Sequence, residues 1–295
     1  MPRPYAIFCS DPLDPRKIEP DFAAEAEIAE AAGFTLVRLD HDQLDHRIDA
    51  GAALRKARFD EPGKAIYRGW MLSAQAYAAL HAGLLDRGIE LITTPAHYDA
   101  CHHAPGSYDC LSSWMPRMAW LGIDEIDDRT RIDATLASFG GSPLVIKDWV
   151  KSQAAGYWHE ACYIADASEP AGALRVLHRF RELQGDSLVG GIVFKTHIPL
   201  VPHGSLAHEY RAFVVGGRSV GCWPRSEAAA ELGGPPSEMV DQIAVRMPGI
   251  FASADFGQDL DGRWWLLEVG DGQVSGLPVP EAALPIFTAL RSLIR

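Results

Sequence analysis

The chain of 295 residues is 47% hydrophobic and carries a formal charge of −12. That length accommodates two domains of ordinary size, each with a core of its own, and the composition excludes a disordered chain. The acidic balance excludes a general nucleic-acid or anionic-membrane binder, because both need a basic face toward phosphates; any phosphate bound here must be held by a few local cations.

The opening "MPRPYAIFCSDPLDPRK" lacks the basic-then-apolar order of a signal peptide, and no apolar run approaches bilayer length, so a cytoplasmic protein is expected. "YAIFC" reads as a strand, "DFAAEAEIAEAAG" as a helix capped by Asp21 and stopped by Gly33, and "FTLVRLD" as the next strand. "KAIYRGW" follows as a third strand, Ser73 to Gly88 as a helix and "IELITTP" as a fourth strand. Alternation of this kind implies a parallel sheet with crossover helices, a small Rossmann-like unit over residues 1–95. It has no GxGxxG after its first strand, so it reads as scaffold or acceptor-substrate surface rather than a dinucleotide site.

From residue 96 to residue 295 the pattern becomes α+β. The stretch "HYDACHHAPGSYDC" reads as a structural or substrate-facing loop; its His97, His102, His103 and Cys110 match no common zinc spacing. "DRTRIDATLASFGG" is a helix ending at Gly140, "PLVIKDWVK" a strand and "EPAGALRVLHRFRELQG" a helix. "GGIVFKTHIPLV", "EYRAFVVGG", "RSVGCWP", "GIFASADFGQDL" and "RWWLLEVG" are strands, mostly antiparallel because tight turns join two of the pairs. "PSEMVDQIAVRM" lies between them as a helix, and "PEAALPIFTALRSLIR" closes the chain as another. Five cysteines without a CxxC pair read as free thiols, and with no asparagine in the chain, turns needing positive φ rely on Gly and Asp.

Asp261-Gly262 is a two-residue turn signal between two apolar strands. If those residues form the loop, counting back pairs Asp255 directly with Glu268, side chains whose Cβ atoms would lie about 5 Å apart and whose charges repel. A compensating cation is expected, and paired carboxylates suit Mg2+. Trp264 and Leu266 share the strand face of Glu268 and imply that it is covered; Asp271, just past the strand end, could turn toward the same ion. A wetted sheet face or a bulge that separates the two acids is the bland alternative.

Among the cations, Val145, Lys147, Trp149 and Lys151 share one strand face, and lysines in such a strand either snorkel to an edge or meet an anion. The hairpin around Gly216-Gly217 puts Glu209, Arg211 and Phe213 on one face; Arg211 suits phosphate or carboxylate, or else forms a surface pair with Glu209. Arg225 is a second candidate of the same kind.

Strand-borne lysines, a hinge strand, the "EYRAFVV" hairpin, then an Asp strand and a Glu strand before a terminal helix together resemble the ATP-grasp superfamily. "VIKDWVKS" and "LLEVGDGQVSGLP" resemble most the clade named for an Arg and two Lys, from about Pro95 to the end. The resemblance implies a Rossmann-like N-terminal domain followed by a two-subdomain ATP-grasp fold, α/β and then α+β. It implies ATP and Mg2+ as cofactors and an ADP-forming ligase that activates a small-molecule or peptide carboxylate as an acylphosphate for attack by an amine or thiol. Lys147 and Lys151 match the phosphate-binding lysines, and Lys147 with Arg211 the catalytic positions. Phe194, Lys195, Thr196 and His197 match the hinge strand, whose backbone meets adenine, with Glu209 also toward the nucleotide. Asp255 and Glu268 match the magnesium carboxylates. Gly270 stands where the superfamily often has Asn, so Asp271 is taken as the third ligand, and Lys195 stands where the clade has Arg. The competing readings are a non-catalytic nucleotide- or protein-binding module of the same fold, and a phosphotransferase or hydrolase using the same acids.

Overall fold

The computed structural model describes residues 3–150, 154–203 and 206–294. β1 (Tyr5–Cys9), α1 (Pro20–Ala31), β2 (Thr35–Leu39), α2 (His41–Asp45), α3 (Ala50–Ala53), β3 (Gly63–Arg68), α4 (Ala74–Leu85) and β4 (Ile89–Leu91) build a parallel sheet of order β2-β1-β3-β4. A parallel sheet must be covered on both faces. Tyr5, Ile7 and Cys9 face α2 to α4, and Ala6 and Phe8 face α1. Pro20 starts α1 at its first position, where a missing N–H costs nothing, so Asp21 lies inside the helix rather than capping it. Ser73 does cap α4, its hydroxyl accepting from the Ala76 N–H.

The stretch "HYDACHHAPGSYDC", expected as loop and short helix, is two short helices, α5 (Pro95–His102) and α6 (Ala104–Leu111). Each has a proline within its first two positions, and Thr94 caps the first. Next come β5 (Met118–Gly122), α7 (Arg129–Ala137), β6 (Leu144–Asp148), α8 (Ala154–Tyr157), β7 (Tyr163–Ile164), α9 (Pro170–Gln184) and β8 (Gly191–Thr196). Their strands form an antiparallel sheet of order β5-β8-β6-β7, backed by α7 and α9 through Leu136, Leu177 and Phe180.

A two-residue ladder of β9 (Pro202–His203) and β10 (Leu206–Ala207) leads into the last sheet. There β11 (Glu209–Val215), β12 (Arg218–Pro224), α10 (Glu227–Ala230), α11 (Ser237–Ala244), β13 (Phe251–Gln258), β14 (Trp264–Asp271) and α12 (Ala283–Ile294) follow in chain order. The sheet order is β12-β11-β13-β14, all antiparallel. Gly216 and Gly217 both have positive φ, 59° and 74°, as a two-residue turn of this hand requires. Among the described residues no aspartate takes a positive φ; besides glycines only Ile48 does, at 54°.

Two independent cores were expected, but the first sheet is not closed by its own segment alone. Its Ala6, Phe8 and Phe34 share a core with Phe287 and Leu290 of α12 and with Phe213 and Phe251 of the last sheet. The chain end therefore returns to complete the N-terminal unit. Among the described residues no helix is long and apolar enough to cross a membrane.

Candidate active site

A cavity of ≈ 720 Å³ opens between the two antiparallel sheets. Its floor is the β13–β14 hairpin, and here Asp255 does pair with Glu268 across the strands. The route to that register differs from the simple count. Asp259 N–H donates to the Arg263 carbonyl, leaving a three-residue loop with Gly262 at φ 84°, and Gln258 faces Trp264. That register is one residue short. A bulge between Asp255 and Phe256 on the β13 side absorbs Leu267 on β14 and restores it. The bulge also separates Glu268 from the covered face. Leu266 is buried in the core, whereas the Glu268 side chain is 52% exposed, toward the cavity.

The repulsion between the two acids is met by side chains. Lys147 Nζ donates to Glu268 Oε1 at 2.5 Å, and Arg211 grips Asp255 through Nε at 2.6 Å and a terminal nitrogen at 2.7 Å. Arg225 adds a third bond to Asp255 at 2.8 Å and lies 3.8 Å from Glu209. The alternative of a Glu209–Arg211 surface pair is not what forms; both arginines join a network around Asp255. Desolvation at the base of the cleft works to raise the Glu268 pKa, but Lys147, with Lys195 and Arg211, outweighs it and holds the group below the ordinary range. Glu209 goes the other way: burial raises it, and Arg225 offsets only part.

Alternation along β6 places Val145 and Lys147 in the cavity and Leu144 and Ile146 in the core behind it. The strand stops at Asp148, whose buried carboxylate accepts from the Val150 N–H and the Gln184 amide and so locks the turn. Trp149, past that turn, still lines the cavity. On β8, Lys195 also faces the cavity and donates to the Leu267 carbonyl at 2.6 Å, the one that the bulge releases from pairing. Burial brings the Lys195 pKa down to about 8, although Glu268 pulls it up.

Several expected site residues stand elsewhere. Phe194 is a core residue packed behind the sheet, and because β8 is a central strand its backbone is paired to Ala119 on one side and Ile146 on the other. The Thr196 and His197 N–H groups donate to the Arg117 and Pro143 carbonyls, though both residues line the cavity. Asp271 is on the opposite strand face from Glu268, fully buried, and accepts from the backbone and side-chain N–H groups of Gln273. It is an anchor beneath α4 and α5 rather than a third ligand beside Glu268. Lys151 lies outside the described residues.

The two remaining carboxylates fit a magnesium ion by their chemistry. They are hard oxygen donors set directly opposite one another on a cavity wall, and the lysine holding one of them sits on a flexible stem that can exchange partners. Among the described residues no group of three or more His, Cys, Asp or Glu converges as a metal site. Mg2+ commonly takes one or two protein carboxylates and completes its shell from phosphate and water, and no such group is formed by the cluster of His97, His102, His103 and Cys110. His102 of that cluster nevertheless lines the cavity.

Sequence reading passed over Trp158, which stacks on Tyr163 and tilts against His197, each at 5.7 Å between ring centroids, at the cavity rim. It begins a π-helical turn, Trp158–Cys162, and a turn of that kind has no periodic signature to read.

The fold has solved counterparts. Over 99% of both chains it matches an ATP-grasp RimK domain protein from Sphaerobacter thermophilus, with a TM-score of 0.64 at 16% identity. It matches the D-alanine-D-alanine ligase from Coxiella burnetii with a TM-score of 0.60 at 13% identity, over 99% of this chain and 95% of that one. The ATP-grasp ligase PsnB, complexed with minimal precursor, Mg and ADP, matches with a TM-score of 0.56 at 13% identity over 97% of each chain. No curated protein matches the chain. The model for an ATP-grasp domain family, the third of the clade named for an Arg and two Lys, covers residues 138–293. That is more than half of the sequence and includes every cleft residue of β6, β8, β11, β13 and β14. Two antiparallel sheets clasping a cleft lined by lysines, arginines and opposed carboxylates are what that match leads one to expect, and the chain belongs to this ATP-grasp family.

Proposed function

We propose that the protein is an ATP-dependent ligase that joins a carboxylate to an amine or thiol and forms ADP. The observation that carries this is the Asp255–Glu268 pair on the floor of the ≈ 720 Å³ cavity, with Lys147, Lys195, Arg211 and Arg225 within the same cleft network. Phosphoryl transfer depends on positioning and charge neutralisation more than on a covalent protein group. In this reading a substrate carboxylate oxygen attacks the terminal phosphorus of ATP, the bond to ADP breaks, and an acylphosphate forms. The amine or thiol then attacks the carbonyl carbon and inorganic phosphate leaves.

Lys147 and Lys195 hold phosphate oxygens, and Arg211 and Arg225 neutralise the transferred group as their hold on Asp255 loosens. The nucleotide base lies along Thr196, His197 and Trp158, held by ring contact. Asp255 and Glu268 hold Mg2+, which when bound supplies charge neutralisation at the phosphates. The likeness to a D-alanine-D-alanine ligase and to a macrocyclase bound with a precursor peptide supports a carboxylate substrate, small or peptide, without choosing between them.

Thermal unfolding with ATP, with and without Mg2+, tests this in the wild type and in Glu268→Gln. The expected result is a metal-dependent rise in Tm that the variant loses, and ADP release that appears only with the right carboxylate. A wild type that binds nucleotide but forms no ADP across an acceptor screen would favour a non-catalytic module; ADP formation undiminished in Glu268→Gln would sink the site assignment.

A further inference from the structure

A second concavity, of ≈ 200 Å³, lies along β2, the edge strand of the parallel sheet, far along the chain from the ligase-like cleft. Five cations line it, Arg16, Arg38, Arg55, Lys56 and Arg58, against a single lining acid, Asp40. In a chain of net charge −12 this is a local excess of opposite sign. Of the five, Arg16 is paired, to Asp14 at 2.9 Å. Among the described residues Arg38, Arg55, Lys56 and Arg58 have no carboxylate within ion-pair distance. The Arg58 guanidinium is held in place by donating to the Arg55 and Ala57 carbonyls.

Backbone geometry supplies a second, independent feature. Thr35 N–H donates to the Pro4 carbonyl, and the Leu39 carbonyl accepts from Ser10. In a parallel ladder alternate residues face one neighbour, so Leu36 and Arg38 turn their N–H and C=O groups away from β1. At Asp40 the end of α3 closes the edge, with Asp40 N–H donating to the Ala53 carbonyl. Beyond that bond the segment through Arg58 diverges, and the groove between it and the edge is the concavity. Its wall segment is fixed by the Asp49 cap on Ala52 and by Arg87, which donates to the Leu54 carbonyl.

We infer that this groove is a binding site for a small multivalent oxyanion, a phosphate or a polycarboxylate. Guanidinium forks and outward N–H groups are the donors that such oxygens take. The size suits a small ligand, and a long polyanion would meet the repulsion of the acidic surface beyond the pocket. Cations on an edge strand also discourage edge-to-edge pairing, but that role requires neither an enclosed volume nor an anchored guanidinium. This inference is independent of the ligase reading.

The test is calorimetric titration of the full chain with inorganic phosphate and with citrate at constant ionic strength. It compares wild type, Arg38→Gln/Arg55→Gln and Lys147→Gln, and amide hydrogen exchange is followed alongside. Expected are saturable binding, a loss of about tenfold or more in affinity in the Arg38/Arg55 variant, near-wild-type binding in Lys147→Gln, and slowed exchange at Leu36 and Arg38. Because the Arg38 and Arg55 side chains are exposed, that variant should keep the wild-type Tm without ligand; Lys56→Gln provides a second reading of the same pocket. Binding lost in Lys147→Gln and kept in the Arg38/Arg55 variant would place the anion in the main cleft and overturn the inference. So would no binding, or non-saturating binding by an adventitious ion only.

Discussion

Asp271 shows how far one buried carboxyl can be from the role its spacing suggests. Burial raises its pKa to about 7 and the Gln273 hydrogen bonds pull back only part of the shift, while one oxygen, Oδ2, has no protein partner. A folded-state pKa above the unfolded value near 3.8 means that the native protein binds the extra proton between those limits. Stability from this group is therefore complete below about pH 4 and is lost as pH rises toward 7, an effect of order 2–4 kcal/mol. Asp271→Asn should flatten that part of the stability profile, measured by denaturant unfolding from pH 4 to 8. A slope unchanged from wild type would show that the acid is ionised throughout. Asp255 is met by two arginines, and that pairing was not legible: turn chemistry points to the two acids, but their neutralising partners come from other parts of the chain.

At the scale of elements, the hairpin carries the lesson. The sequence pairs Asp255 with Glu268 through a two-residue turn, and the structure reaches the same pair through a three-residue loop and a compensating bulge. A glycine after an aspartate signals a tight turn, but it does not choose between loop lengths, and the bulge has no side-chain signature of its own. Its consequence is functional, since the freed Leu267 carbonyl takes the Lys195 ammonium. Close backbone approach sets another limit, at the start of β8. Gly191 has φ 146°, and a Cβ there would lie 2.0 Å from the Leu121 carbonyl oxygen. Gly191→Ala should cost about 3 kcal/mol or more, read as a lower denaturation midpoint, because neither carbonyl nor strand can yield without breaking the β5–β8 ladder. Full wild-type stability in that variant would show the two strands to be less closely held than this.

Across the whole molecule, the N-terminal unit is tied to the last sheet by few but well-buried bonds. Arg68, 2% exposed at its side chain, meets Glu25 at 2.7 Å and donates to the Gly272 and Gln273 carbonyls. The Gln273 side chain in turn accepts from the Tyr67 N–H and bonds Tyr77. Removing one partner of a buried pair strands the other charge. Arg68→Met should therefore destabilise by about 3–5 kcal/mol, and the double change Glu25→Gln/Arg68→Met by less, in a double-mutant cycle of unfolding free energies. Additive losses would mean that the pair is solvated and the docking is apolar alone.

By itself the sequence determined the order and type of the longer helices and most strands, the acidic hairpin and the cleft-facing Lys147, because strand alternation, caps and turn residues act over a few neighbouring positions; it passed over β5 and short pieces such as α2, α3 and β7. Its resemblance to a family supplied the expected function. Tertiary structure alone decided that Phe194 packs behind the sheet, that Asp271 anchors the N-terminal unit, and that α12 completes the first core. It also decided which cations answer the paired acids. Lys147 and Glu268 are 121 residues apart in the chain, and only the closure of one sheet over the other brings their charges within reach.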